Sequence, residues 1–255
     1  MRINQYLAHQ LGVSRRQGDE LVKKGSVKID NKMCDLFDKV ESGNLVEYYD
    51  PKKGWIKISE ETNFKTLLFY KPIFTVTTRS DEFKRKTIYS FLKSSYFSFK
   101  PAGRLDYLSE GLLVLSQDGD LINKLTHPSF ETEKRYLISL KEDLRPDQVT
   151  QMERGMTLGE MKLQPVKIVK KASLKDWEFL KPEPKHVWYE FALKEGKNNQ
   201  IRQMCEYFGQ KVLRLIRIQH GQYLLTEQLY KEKMIRLEDK VEDGEKGVGE
   251  SSEVK

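Results

Sequence analysis

Two short stretches carry side chains that could do chemistry together. The first is Gly103-Arg104-Leu105-Asp106, followed by the apolar run Gly111-Leu112-Leu113-Val114-Leu115 and by Asp118-Gly119. Gly103 permits a tight backbone turn, the apolar run reads as a buried strand, and Asp118-Gly119 reads as a closing turn. A carboxylate on a short loop ahead of such a strand is held on a rigid scaffold, which suits catalysis. A salt-bridged Arg and Asp in a surface turn is the alternative, since aspartate is common in turns. The second stretch is Gly196-Lys197-Asn198-Asn199-Gln200-Ile201-Arg202. Asn198 is placed to cap a helix whose apolar stripe is Ile201, Met204, Cys205 and Phe208, with Gly209 at its end. On that helix Arg202 falls at the edge of the stripe, where a guanidinium can enter a pocket without lying in the core. It is equally placed to be an ordinary surface arginine. Cys205, on the apolar face, reads as a small core residue and not as a nucleophile.

The composition limits what surrounds these stretches. The 255 residues are 38% hydrophobic and 33% charged, enough for two domains and a sizeable core. No apolar run is long enough for a membrane span, and Met1–Gly12 lacks the apolar core of a signal peptide, so a cytoplasmic protein without membrane attachment is expected. Cys34 and Cys205 stand far apart, the four histidines are scattered, and no metal-ligand spacing appears; neither a disulfide scaffold nor a metal site is expected. The net charge is +7, but residues 237–255 carry seven acids against three lysines, which leaves +11 on the preceding 236 residues. An excess of that size points towards nucleic acid. The tail itself is charged and rich in glycine and serine, and is expected to be disordered.

The elements that must position the chemistry follow from periodicity. Ile3, Tyr6, Leu7 and Leu11 recur at helical spacing up to Gly12. Ser14-Arg15-Arg16-Gln17 is a capping box that opens a second helix, and Gly25 is placed to close it. Short strands are expected around Val27–Ile29 and Leu45–Tyr48, with Asp30-Asn31 as a turn. Residues 1–28 carry six basic and two acidic side chains, whereas residues 29–50 carry two and six. Arg15 and Arg16 occupy the first turn of a helix, where the macrodipole disfavours cations; a phosphate contact would account for them, and a solvated face is the alternative. Asp50-Pro51-Lys52-Lys53-Gly54 marks a linker, extending through Asn63. Beyond it, strands are expected at Thr66–Tyr70, around Tyr136–Leu140, at Leu163–Lys170, at Val187–Lys194 and at Val212–Ile218. Helices are expected near Thr87–Lys93, Leu121–Leu125 and Pro146–Arg154.

Residues 1–48 resemble the S4-type RNA-binding module, through Leu7, Gly12, Ser14-Arg15-Arg16, Leu21, Gly25, Val27, Val40 and Gly43. The chain as a whole, over about residues 1–235, resembles the RsuA-like branch of bacterial ribosomal RNA pseudouridine synthases. Four ordered motifs carry that resemblance: Gly103-Arg104-Leu105-Asp106 with Ser109-Glu110-Gly111-Leu112-Leu113; Asp118-Gly119; Glu133-Lys134-Arg135-Tyr136; and the Gly196–Arg202 stretch with Met204 and Gly209. Lys71-Pro72 and Thr77-Thr78-Arg79-Ser80-Asp81 match more loosely. Asn199 and Gln203 stand where relatives often have arginine, Ile73-Phe74 replaces a loop that usually includes glycine, and Tyr107-Leu108 is more apolar than usual.

The resemblance implies an α+β fold: an S4-like module (residues 1–50), a linker (51–63), and a catalytic domain (64–236) with a mixed, mostly antiparallel sheet flanked by helices, then the tail (237–255). It implies conversion of a uridine to pseudouridine without metal or organic cofactor, with Asp106 as the essential carboxylate. Arg202 is expected to be its cationic partner, and Tyr136 to stack on the base and handle a proton. Arg104, Ser14, Arg15, Arg16 and Lys197 are the implied RNA contacts. The expected partner is ribosomal RNA, free or in an assembling subunit, met by a monomer. Leu213–Arg217 and Ser109-Glu110-Gly111 look most like members acting on large-subunit RNA. A non-catalytic RNA-binding or ribosome-assembly protein, and a synthase acting on another RNA such as transfer RNA, are the competing readings.

Overall fold

The computed structural model describes residues 1–11, 13–41, 43–58, 66–93 and 96–237. The expectations for Gly12, for 59–65 and for 238–255 lie outside them. Helix α1 (Ile3–Leu11) packs on α2 (Arg15–Lys23). The capping box is present: Ser14 Oγ accepts from the Gln17 amide at 3.1 Å, and Gln17 Oε1 accepts from the Ser14 amide at 2.8 Å. Gly25, at φ +64°, closes α2. Strands β1 (Val27–Ile29) and β2 (Lys32–Met33) form a hairpin through Asp30 and Asn31, both left-handed, as a tight two-residue turn requires. β3 (Val46–Asp50) pairs with β1 and with β4 (Gly54–Lys57). β4 lies where the sequence suggested a linker. The Asp50-Pro51-Lys52-Lys53-Gly54 punctuation is a hairpin turn, and Ile58 beyond it joins the core of Ile3, Leu7, Val22, Val27 and Val46.

The second unit is built on one nine-stranded sheet, beside a separate hairpin of Met156–Leu158 with Met161–Leu163. β5 (Thr66–Lys71), β6 (Lys100–Pro101), β7 (Glu110–Ser116), α3 (Gly119–Thr126), β8 (Lys134–Leu140), α4 (Pro146–Glu153), β9 (Met156–Leu158), β10 (Met161–Leu163), β11 (Lys167–Lys170), β12 (Val187–Leu193), α5 (Gln200–Tyr207), β13 (Arg214–His220), β14 (Tyr223–Leu224), α6 (Glu227–Glu232) and β15 (Met234–Leu237) follow in chain order. Along the sheet the strands run β11-β12-β8-β13-β7-β5-β15, with β14 on β13 and β6 on β7. Every pairing is antiparallel except β13 with β7. Two antiparallel halves therefore meet at one parallel seam. Among the described residues no helix is long and apolar enough to cross a membrane.

Strand alternation sorts the core. Leu112, Val114, Leu137, Ile216 and Ile218 face one side. On the other, Ile138, Leu140 and Leu215 pack under α4 and α5 in one half, while Leu67, Phe69, Leu113 and Leu115 pack around a 3-10 turn (Ile88–Phe91) in the other half. Both faces of β5 and β7 are buried, which is why those strands read as unbroken apolar runs. Several sequence expectations are corrected. The β segment from Leu163 is broken at Pro165 into β10 and β11. Asp118-Gly119, expected as a closing turn, instead opens α3: Asp118 caps it, accepting from the Asp120 amide at 2.8 Å, and Gly119 is its first residue. Asn198 is not the cap of α5: Asn199 holds that position in a left-handed conformation without a side-chain cap bond. Leu237, placed at the start of the tail, pairs with Thr66 as the last residue of β15.

The seam depends on Gly111. Its φ is +107°, and a Cβ there would meet the Arg217 carbonyl oxygen at 2.4 Å and the Arg217 nitrogen at 2.7 Å. Gly111→Ala must force apart two backbones and is expected to cost about 3 kcal/mol or more. Gly159→Ala, at φ +57° with open space around it, should cost only about 1 kcal/mol. Urea unfolding of both variants checks the difference; similar losses would mean the seam tolerates separation.

Candidate active site

The cleft opens on the face of the sheet where the two halves meet. It has a volume of about 260 Å³ and is lined by Arg104, Asp106, Ser109, Tyr136, Leu215 and Arg202, with the Glu195–Gln200 segment on one side. All three residues singled out for catalysis are thus in one cavity. Tyr136 lies on β8 opposite Arg217 of β13 and packs against the cores of both halves. Asp106 comes from the loop that enters β7, and Arg202 from α5.

The loop is clamped through its main chain. Thr77 Oγ1 donates to the Leu105 carbonyl at 2.8 Å. Lys71, wholly buried at the end of β5, points its ammonium at three carbonyls: Ser109 at 2.7 Å, Asp106 at 3.0 Å and Pro72 at 3.2 Å. Arg202 Nη2 donates to the Leu108 carbonyl at 2.8 Å, and Nη1 to the Val212 carbonyl at 2.9 Å. These contacts tie down residues 105, 106, 108 and 109 without using the Asp106 side chain. Among the described residues that carboxylate accepts no hydrogen bond and joins no ion pair. The expected forked pairing of Arg202 with Asp106 is therefore absent. The guanidinium is spent on carbonyls, and its buried Nε has no partner. Burial lowers the Arg202 pKa, while the Asp106 charge acts in the opposite direction.

A second anchor lies one residue further on. Glu110 accepts from Arg214 Nε at 2.6 Å and Nη2 at 3.3 Å, and from the Tyr70 hydroxyl, so one buried carboxylate joins β5, β7 and β13. Burial, with Glu110 close by, pushes the Tyr70 hydroxyl well above the usual phenol range. Arg217 is buried at the seam and donates from Nε to the Leu112 carbonyl at 2.8 Å. Neither anchor, nor the role of Lys71, was read from sequence. The available signal was a charged residue within an apolar run, as in Thr66-Leu67-Leu68-Phe69-Tyr70-Lys71.

Other groups are excluded from proton or nucleophile chemistry. Burial pushes the Cys205 thiol up to about 12. Burial, reinforced by Arg217 and Lys134, takes His220 down to about 3, so its ring is neutral at ordinary pH and its Nε2 donates to the Leu125 carbonyl. Among the described residues no group of His, Cys, Asp and Glu could hold a metal ion.

The expected RNA contacts are scattered. Arg104 lines the cleft with an exposed side chain. Lys197 also lines it, but its ammonium already bonds the Lys162 carbonyl and pairs with Glu195 at 3.4 Å. Ser14 serves its helix cap, and Arg15 and Arg16 are exposed on the N-terminal unit.

Comparison with known proteins agrees with this geometry. Residues 65–207 match the family model for RNA pseudouridylate synthase, and residues 1–46 match the S4 domain. The chain belongs to the RNA pseudouridylate synthase family, with an S4 domain in front. Among its relatives is an uncharacterized RNA pseudouridine synthase of Helicobacter pylori, 33% identical over 226 residues, covering 87% of this chain and 84% of the relative. Another is the ribosomal large subunit pseudouridine synthase B of Bacillus subtilis, 33% identical over 221 residues, covering 86% and 85%. A crystal structure of a pseudouridylate synthase shares the fold with a TM-score of 0.59 at 21% identity, covering 93% of this chain and 96% of that one.

Burial lowers the Lys71 pKa to about 8, against the opposing pull of Asp106 and Glu110. The unfolded state binds this proton up to higher pH than the folded state, so raising the pH from about 8 towards 10.5 gains stability from this group. A neutral amine, however, has only two hydrogens for three carbonyls. Single-turnover conversion is expected to fall with a midpoint near 8 that is absent in Lys71→Met. In that variant the rate should drop about 100-fold through displacement of Asp106. Its stability should fall by only about 1–3 kcal/mol, because losing the donor is offset by no longer burying a charge. A stability loss that alone accounts for the missing activity would overturn the clamp.

Proposed function

We propose that this chain isomerises a uridine of ribosomal RNA to pseudouridine, with Asp106 as the reacting carboxylate. The observation that carries this reading is the Asp106 side chain, unpaired in a cleft while its main chain is held at four neighbouring residues. A purely structural aspartate would use its oxygens. Here they are left for a substrate, attracted but not touched by the charges of Lys71 and Arg202.

In the reaction the N1–C1′ bond breaks, the uracil turns, and a C5–C1′ bond forms. C5 loses its proton and N1 gains one, so atoms and electrons balance without a co-reactant. Asp106 acts on the sugar or the base as an anion, Tyr136 supplies a flat face for the base, and Arg202 holds the carboxylate loop and adds positive charge. A cleft of about 260 Å³ does not admit a stacked helix; the uridine has to leave its stack, at a few kcal/mol, offset by contacts elsewhere. Arg104 is the side chain to occupy the vacated stack or hold a phosphate.

Affinity is assigned to the S4-like module and the basic surface. Lys100, exposed on β6, has its pKa lowered by partial desolvation and by the charges of Arg79 and Arg15. Cations of both units thus lie within electrostatic reach of Lys100, which suits a phosphate backbone crossing between them. Large-subunit RNA is the favoured substrate, because the Bacillus subtilis relative bears that name. We take the protein to act as a cytoplasmic monomer on free or assembling ribosomal RNA, with the N-terminal module running through β4 to Ile58 and the catalytic domain from β5 onward as its two units.

Asp106→Asn keeps size and loop contacts but removes the charge. It is expected to abolish conversion in a single-turnover assay on large-subunit RNA from cells lacking this protein, with RNA binding and melting unchanged. An aspartate serving only in an exposed ion pair would cost at most about 1 kcal/mol and leave turnover intact. Substantial conversion by the folded, RNA-binding variant would sink the assignment. Arg202→Lys should fall between, since one ammonium cannot span both carbonyls.

Arg15 and Arg16 replaced together by alanine should weaken RNA binding and make the dependence of log affinity on log salt shallower by roughly one to two units. Conversion at saturating RNA should be spared. An unchanged slope would leave these arginines as a solvated face.

A further inference from the structure

Beside the cleft, the protein exposes large apolar side chains where solvation alone would favour polar ones. Phe83 is 77% exposed, Phe74 55% and Leu108 46%. They are not scattered. The Phe74 and Tyr107 rings lie 5.6 Å apart between centroids, and the Arg85 guanidinium sits 5.5 Å from the Tyr107 ring and 5.1 Å from the Phe83 ring. The result is a row in the order Phe74, Tyr107, Arg85, Phe83, and Tyr107 is the residue after Asp106.

The row is held in place. Arg85 is forked onto Asp81, with Nη2–Oδ1 at 2.6 Å and Nε–Oδ2 at 3.1 Å, so the plane of its guanidinium is fixed. Phe74 adopts φ +60°, a left-handed backbone that disfavours a bulky side chain, and its amide donates to the Tyr107 carbonyl at 2.7 Å. Strain, exposure and a specific tether coincide on one ring. That combination marks a surface kept for a ligand.

We propose that Phe74, Tyr107 and Arg85 form a stacking platform for an unpaired base adjoining the target uridine. The inference rests on the reading of the cleft as a uridine-isomerising site. Extruding one nucleotide deprives its neighbours of a stacking partner. Flat rings with an interleaved guanidinium recover that contact through stacking and cation–π attraction, whichever base is presented. Continuity with the cleft argues for RNA over a protein partner: the platform begins one residue from Asp106, and the Leu108 carbonyl at its edge is bonded to Arg202. Arg79, Lys84 and Lys86 on the same loop add charge of the sign that phosphates attract.

The test uses the full chain and unmodified large-subunit ribosomal RNA made by transcription. Phe74→Gly removes the ring and relieves the backbone, so its melting temperature should stay level or rise. Its affinity for the RNA should fall roughly 5- to 150-fold, the range expected for one lost base stack, while conversion at saturating RNA stays within about threefold of wild type. Phe74→Trp should restore binding, and Phe83→Ala should weaken it less. In a second arm, an abasic residue is placed on either side of the target uridine. On one side, wild type should lose the same affinity as Phe74→Gly, and the variant should lose nothing more. Unchanged binding by Phe74→Gly would overturn the platform and leave the ring cluster to a protein partner; so would losses that multiply on both abasic RNAs. Lost conversion at saturating RNA with normal binding would also overturn it, by moving Phe74 into the chemistry. No pseudouridine from wild type would overturn the isomerase reading and the platform together, whereas normal conversion with unchanged binding strikes the platform alone.

Discussion

One buried ammonium settles the shape of the loop that carries Asp106. Lys71 has lost all contact with water, and each of its donors meets a main-chain carbonyl: one from its neighbour Pro72, two from the loop. A buried charge is tolerated only when its hydrogen-bonding capacity is filled, so the ammonium stabilises only those loop conformations that present the Asp106 and Ser109 carbonyls together. Thr77 and Arg202 then fix Leu105 and Leu108 on either side. Here the support acts on the backbone alone, and the carboxylate emerges from a rigid loop with its lone pairs unused.

The same economy governs the seam between the two halves of the sheet. β13 and β7 are in register over Ile216 with Glu110 and Arg217 with Gly111. At that point the missing side chain of Gly111 lets the backbones approach, Arg217 bonds the Leu112 carbonyl, and Arg214 forks onto Glu110. Leu213–Arg217 and Ser109-Glu110-Gly111 were the two segments that pointed to large-subunit enzymes on sequence. In three dimensions they are two sides of one contact, with Ile216 and Arg217 paired to Glu110 and Gly111 in the interior of the sheet. Their likeness is thus explained by the fold's own anchor, and the address on the RNA has to be sought on the surface.

Much of this was legible in the sequence. Local chemistry was read directly: the Ser14–Gln17 cap, the Asp30-Asn31 turn, the helix at Pro146, and the alternation that puts Ile138 and Leu140 on one face. Asp106, Tyr136 and Arg202 were named, and they share one cavity. What escaped was non-local. β4 looks like a linker because two lysines and a glycine in a hairpin turn cannot be told from a boundary without the partner strand. Lys71, Glu110, Arg214 and Arg217 are charged, so by composition they belong outside; partners far along the chain, main-chain carbonyls for Lys71 and Arg217 and the Glu110–Arg214 pairing, let three of them be buried and Arg214 half-buried. Arg202 was matched to the nearest carboxylate by charge, whereas the carbonyls of Leu108 and Val212 lay within reach and took its donors.

A clamp built from main-chain carbonyls has a consequence for specificity. Arg104, Tyr107 and Leu108 flank Asp106, yet none of their side chains takes part in the bonds that place it; the loop offers carbonyls, which every residue type has. Those side chains are free to differ without moving the carboxylate. Of the uncommon ones here, Tyr107 sets its ring against Phe74 and Arg85, and Leu108 is exposed. A carboxylate tied by its own oxygens would couple chemistry to recognition, because any change of neighbour would alter its hydrogen bonds. Anchored through the backbone, the same Asp106 geometry can sit beneath different lips, and the choice of uridine becomes a property of the rim and the N-terminal unit.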